Sequence, residues 1–166
     1  MSRPSATSDQ LILLDSPDDF VTHTLSVVRS AKRKIALLSD CLDPYLYNRE
    51  ELTQALSAFA RRSKSSELRI LVRHTDELIE KGHLLARLHQ RLSSKVQLRK
   101  IAVEPSNTHM AFLCADTDHV VYKNDDRVYQ GFANYAAASE VRSLTEEFNR
   151  VWEFAQEDPG LRTLHL

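Results

Sequence analysis

The stretch Asn107-Thr-His-Met-Ala-Phe-Leu-Cys-Ala-Asp116 sets a histidine ahead of a six-residue apolar run and an aspartate behind it. Imidazole changes charge near neutral pH, so His109 is suited to proton transfer or to nucleophilic attack. Asp116 is either a charge partner for such a site or the turn former at a strand end. If residues 110–115 are a strand, side chains two apart share a face, and His109 projects together with residue 111 while Asp116 stands at the far end. His109 is then either a reacting group or a strand residue bonded to backbone. Position 111 is alanine and brings no charge to that face.

Several other chemistries are excluded. The chain has three glycines and neither of the glycine-rich phosphate cradles, and no G-x-S-x-G nucleophile elbow. His83 and His89 are six apart rather than the four that put two ligands on one helix face, so no zinc site is expected there. Cys41 and Cys114 lie far apart in sequence with no C-x-x-C, and they read as reduced core thiols. No metal or other cofactor is expected.

Around these residues, 166 residues with 42% hydrophobic and 27% charged content suit one domain with a real core, spanning 11–166 after a flexible tail over 1–10. No apolar run approaches the ~20 residues of a membrane span, and the first ten residues lack the apolar stretch of a secretory signal. The expectation is a cytoplasmic protein without membrane partners. A net charge of -1 hides an asymmetry: residues 1–60 carry −2, residues 61–100 carry +7 and residues 101–166 carry −6. The basic block either attracts phosphates or an acidic partner, or is neutralised by the acidic last third. No aromatic residue interrupts 61–100, so support for nucleic acid as a partner is weak.

The elements that must position His109 follow from pattern. "LILL" (11–14) reads as a short buried strand, and Ser16-Pro17-Asp18-Asp19 as a helix start with a serine cap and proline at the first turn. That helix should bury Phe20, Val21, Leu25 and Val28. "KIALLS" (34–39) is a continuous apolar strand, as in a sheet covered on both faces. Asn48 caps a helix burying Leu52, Leu56 and Phe59, and "ELRILV" (67–72) is the next strand. Thr75 opens a third helix with Leu78, Leu85, Leu88 and Leu92 on one stripe, bent at Gly82. "VQLR" (96–99) alternates as a half-exposed strand does. "MAFLCA" (110–115), "HVVYK" (119–123) and "RVYQGF" (127–132) then form antiparallel strands, with a hairpin turn at 124–126. A long helix from Tyr135 to Phe154 closes the domain. This order predicts an α/β layered domain with a mixed sheet flanked by helices.

With the strands placed, His109-x-Ala111-x4-Asp116 resembles the H-x-K-x4-D motif of the phospholipase D superfamily with alanine for lysine. Gly131-Phe-Ala-Asn134 resembles that family's G-S-x-N, and Phe148-Asn-Arg-Val-Trp152 its closing aromatic helix. The chain looks like a single half-domain of a bacterial group of unassigned function. In active members two halves share a pocket: one histidine attacks phosphorus, the other protonates the leaving oxygen, and lysine and asparagine hold the phosphate oxygens. The resemblance therefore implies a homodimer. It gives His109 the acid or nucleophile role and makes Asn134 a phosphate donor with Asp116 beside the site. Lys123, and after it Arg127, is the cation available to replace the missing lysine. Phe132 adds bulk where the family has a small hydroxyl residue. The reading is a catalytically degenerate phospholipase D-like binding, regulatory or accessory module for a phosphate-containing ligand or a protein partner. The alternative is a homodimeric, metal-independent phosphodiesterase or nuclease using His109.

Overall fold

The structure, a computed structural model, describes residues 11–162, so the expected tail over 1–10 lies outside the described residues. The elements run β1 (Leu11–Leu14), α1 (Pro17–Ser30), β2 (Lys34–Ser39), α2 (Pro44–Tyr47), α3 (Glu50–Arg61), β3 (Glu67–Val72) and α4 (Asp76–Lys81). They continue with α5 (Leu84–Arg91), β4 (Val96–Lys100), β5 (Ala111–Ala115), β6 (His119–Lys123), β7 (Gly131–Asn134), α6 (Ala138–Phe154) and α7 (Pro159–Arg162). The strands form one seven-stranded sheet in the order β1-β7-β6-β5-β2-β3-β4. β2, β3 and β4 are parallel and joined through helices, whereas β5, β6, β7 and β1 pair antiparallel. This is the mixed α/β sheet expected from the sequence.

Helices cover both faces. Phe20, Val27 and Val28 of α1, Leu56 and Phe59 of α3, and Leu85 and Leu88 of α5 pack on Ile35, Leu37, Leu68, Ile70 and Leu113. On the other face Val141, Phe148, Val151 and Trp152 of α6 pack on Ala36, Leu38, Leu71, Phe112 and Cys114. Alternate residues of β2 and β5 thus enter opposite cores, which is why both strands read as unbroken apolar runs. Ser16 caps α1 as expected, its hydroxyl accepting the Asp19 amide at 3.1 Å.

Several expectations need correction. β1 is not buried. It is the edge strand, with Leu11, Ile12 and Leu13 exposed and Leu14 alone in the core. Four apolar residues look the same in sequence whether one strand or two lie beside them. Asn48 does not cap α3; it accepts the Leu84 amide at 2.9 Å and so ties α2 to α5. The strand read at 127–132 is instead β7 at Gly131–Asn134, and 124–130 is a loop stitched by Val128 N–H to the Asp125 carbonyl at 3.0 Å and Gln130 N–H to the Val128 carbonyl at 2.9 Å. Gly131 must be glycine, because a Cβ there would stand 1.9 Å from the Tyr122 carbonyl oxygen. The last helix starts at Ala138 rather than Tyr135.

The third helix breaks in two at Gly82, whose φ of 76° belongs to the left-handed region. His83 holds the break. Its Nδ1 accepts the Leu85 amide at 3.0 Å, and its Nε2 donates to the Leu42 carbonyl at 3.1 Å. The bond accepted by Nδ1 needs neutral imidazole, and burial, partly offset by the bond to Leu42, lowers its pKa to about 4. A histidine with a depressed folded pKa binds its proton in the unfolded chain first, so stability falls as pH drops from about 6.5 towards 4. Urea unfolding between neutral pH and pH ~4.5 should show this loss, about 3 kcal/mol in full, and His83→Gln should flatten the dependence.

Candidate functional site

The parallel strands β2 and β3 end beside the start of β5 and the end of β6, and polar side chains gather there. Ala111 is directly opposite Lys123 in the β5–β6 register. Opposed residues of an antiparallel pair put their side chains on the same face, so a lysine stands across the strand from Ala111. Its ammonium is enclosed: Lys123 is 3% exposed. Nζ lies 3.2 Å from the Asp126 carbonyl and 3.4 Å from Asp126 Oδ1. It also sits 4.2 Å from the centre of the Tyr129 ring and 5.3 Å from that of Phe20.

Asp126 is in turn held by donors. Its Oδ2 accepts the Asp40 amide at 2.8 Å and the Ser39 hydroxyl at 3.2 Å. Its own amide donates to the His109 carbonyl at 2.8 Å, which fixes the 124–130 loop against the turn before β5. Arg73, with 4% of its side chain exposed, completes the cluster from the end of β3. It contacts Asp40 Oδ1 at 2.7 Å, Glu104 Oε1 at 3.2 Å and the Met110 carbonyl at 2.9 Å. Three carboxylates, Asp40, Asp126 and Glu104, therefore face two cations, Arg73 and Lys123. That balance disfavours an added phosphate.

His109 lies in the turn before β5 rather than in the strand, and it is exposed. Its amide donates to Asn107 Oδ1 at 2.9 Å rather than to a strand neighbour. Arg127 is exposed too, and its guanidinium makes two bonds to Asp125 at 3.0 and 2.8 Å. Those bonds hold the Asp125 carboxyl well below the usual range. The structure thus brings His109, Lys123 and Arg127 to one end of the sheet.

Asp116 and Asn134 are at the other end. Asp116, at φ 55°, closes the turn between α1 and β2 by accepting the amides of Lys32, Arg33 and Lys34, the shortest at 2.8 Å. Asn134 pairs with Val120, and its Oδ1 accepts the Ala136 amide at 2.8 Å ahead of α6. Three residues of strand, about 10 Å, separate Asn134 from Gly131 opposite Lys123, and five, about 17 Å, separate Asp116 from Ala111 opposite Lys123. Phe132 packs against Tyr122 at 5.4 Å on the α6 side of the sheet, away from the face of Lys123.

Sequence reasoning missed Ser39, Asp40, Arg73, Glu104 and Asp126. The available signal was that two apolar strands end in charges of opposite sign, Asp40 after β2 and Arg73 after β3. Other clefts are remote: one of about 460 Å³ is lined by His89, Ser93, Ser94, Glu157 and Arg162. Among the described residues no three histidine, cysteine or acidic side chains could hold a metal ion. No helix there is long and apolar enough to cross a membrane. Cys41, partly exposed beside the cluster, has its thiol pushed up by burial and surrounding carboxylates, which keeps it protonated.

A model of the family described as "Domain of unknown function (DUF7931)" matches residues 16–164. No curated protein matches the chain by sequence. Among solved structures it is similar to Nuc from Salmonella typhimurium, a phospholipase D family member, at TM-score 0.57 and 17% identity, covering 89% of this chain and 97% of that one. It is similar to phosphatidylserine synthase from Haemophilus influenzae at TM-score 0.68 and 15% identity, covering 96% of this chain and 40% of that one. It is also similar to the archaeal chromatin protein TrmBL2 at TM-score 0.65 and 16% identity, covering 90% of this chain and 54% of that one. The chain thus spans about half or less of the last two proteins.

Breaking one side of a buried ion pair costs about 3–5 kcal/mol. Lys123→Met should lower unfolding free energy by about that amount in urea titrations, whereas Arg127→Met, at an exposed pair, should change it by less than about 1 kcal/mol.

Proposed function

The chain belongs to the DUF7931 family and carries the phospholipase D-like fold, and on that premise we propose that it is a catalytically degenerate module that binds rather than cleaves. Its ligand is a phosphate-containing molecule or a protein partner, and it works in the cytoplasm as a homodimer or accessory subunit. The observation that carries this reading is the state of the one lysine near the expected place. Lys123 is spatially opposite Ala111, yet its ammonium is buried and neutralised by Asp126. A phosphate pocket needs cations with free donors, and losing one such donor typically costs about 10²–10³ in rate. The distance of Asn134 from this end adds to the loss.

A second reading has one specific observation in its favour. His109 and Lys123 do share an end of the sheet, and His109 is open to solvent. A homodimer that brought two such ends together would hold two histidines, and a phosphodiesterase or nuclease could then work without metal, His109 attacking phosphorus and the partner copy's histidine protonating the leaving oxygen.

Hydrolysis of an activated phosphodiester and of single-stranded DNA and RNA in excess chelator separates the two. The binding reading expects no turnover above background from either wild type or His109→Ala. Turnover that vanishes in His109→Ala, whose side chain is exposed, would overturn it. Light scattering checks the assembly, with a mass of twice 19.0 kDa expected.

A further inference from the structure

The turns that lead into β2, β3 and β4 lie along one edge, because these strands are parallel with Lys34 beside Glu67 and Leu68 beside Val96. This is the edge opposite the Lys123 cluster. The turns touch one another. Arg62 donates to the Ala31 carbonyl at 2.8 Å, the Glu67 amide to the Arg33 carbonyl at 3.0 Å, and Lys95 Nζ to the Ser63 and Ser66 carbonyls at 2.5 and 3.2 Å. Arg62 and Lys95 are thereby spent on joining the turns.

Other cations on the same edge are left free. Lys32, Arg33, Lys34, Lys64 and Arg91 are exposed and have no side-chain partner among the described residues. The acids nearby are engaged, Asp116 by three backbone amides, Asp118 by His119 at 2.7 Å and Glu67 by Arg69 at 3.7 Å, and the five free cations outnumber these three carboxylates. The positive block of the sequence is therefore divided. Arg69, Arg73 and Arg99 turn inward onto Phe148, Asp40 and Trp152, while Lys64 and Arg91 face solvent and join Lys32, Arg33 and Lys34 from ahead of the block in one row.

We propose that this row binds the phosphate backbone of double-stranded nucleic acid without reading its bases. Three neighbouring strands set the turns across about 10 Å, and duplex DNA carries one charge per ~1.7 Å of axis, so several phosphates fall within reach. The three turns that carry the row have no aromatic side chain on which a base could stack. Nor do these turns carry an exposed large apolar side chain of the kind that enters a lipid interface, since those, such as Leu11, Leu13 and Phe154, stand on other segments. Charge alone is what the surface offers, and a regular polyanion is what charge alone selects. The proposal takes its ligand class from the binding reading above, but the two fail separately: His109-dependent hydrolysis would end that reading and leave this edge untouched.

Fluorescence anisotropy of a short labelled DNA duplex tests it, at low salt and at about 200 mM salt. Wild type should bind at low salt and weaken by about tenfold or more as salt is raised. The combined variant Arg33→Glu, Lys64→Glu, Arg91→Glu should lose at least about tenfold at low salt and show a shallower salt slope, each single reversal giving part of the loss. Reversals elsewhere, Lys81→Glu and Arg142→Glu, should bind as wild type does. Absence of duplex binding at low salt, or equal binding by the triple variant, would overturn the proposal. So would binding that depends on these cations but goes to anionic lipid vesicles or to an acidic protein and not to the duplex.

Discussion

An ammonium group leaves water only where acceptors of opposite charge replace its hydration, and at Lys123 that constraint organises a whole end of the molecule. Asp126 supplies the charge, so the loop after β6 must fold back far enough to place it. Asp126 needs donors of its own, and the end of β2 provides them in Ser39 and the Asp40 amide. Asp40 then meets Arg73 at the end of β3, and Arg73 fixes the Met110 carbonyl just before β5. A single buried cation thus sets the relative positions of four strand ends. It also explains why the segment between β6 and β7 is a seven-residue loop rather than a tight hairpin.

What was legible in the sequence depended on how much of the answer was local. The unbroken runs of β2 and β3, the serine and proline at the start of α1, and the glycine break between α4 and α5 were each written within a few residues. The exposure of β1 was not, because burial of an edge strand depends on what lies beside it in the sheet. The site divided the same way. His109 and Lys123 were visible as candidates, but whether Lys123 replaced anything rested on cross-strand register, which links positions twelve apart. Asp126 read as a turn residue because the donors that hold it sit 86 and 87 residues away.

The two ends of the sheet do different electrostatic work. At the carboxyl ends of β2 and β3, charges of both signs are packed together and largely cancel inside the fold. At the amino ends, carbonyl and carboxylate groups are used to knit turns, and cations are left over. A segment that is simply basic in sequence is therefore sorted by the parallel strands it contains into an inward set and an outward set. Strand direction performs that sorting, since every helix-to-strand turn of β2, β3 and β4 emerges at the same edge.

The register of Ala111 against Lys123 bears on how such chains can change over generations. Residues opposed across an antiparallel pair have Cβ atoms about 5 Å apart, so a lysine can pass from one strand to the next with little displacement of its amine. The passage needs two substitutions, and neither intermediate is neutral. A chain with lysine at both positions crowds two ammonium groups around one carboxylate; a chain with lysine at neither leaves Asp126 buried without its partner. Positions 111 and 123 are therefore coupled in energy, and the cost of a change at one depends on what stands at the other.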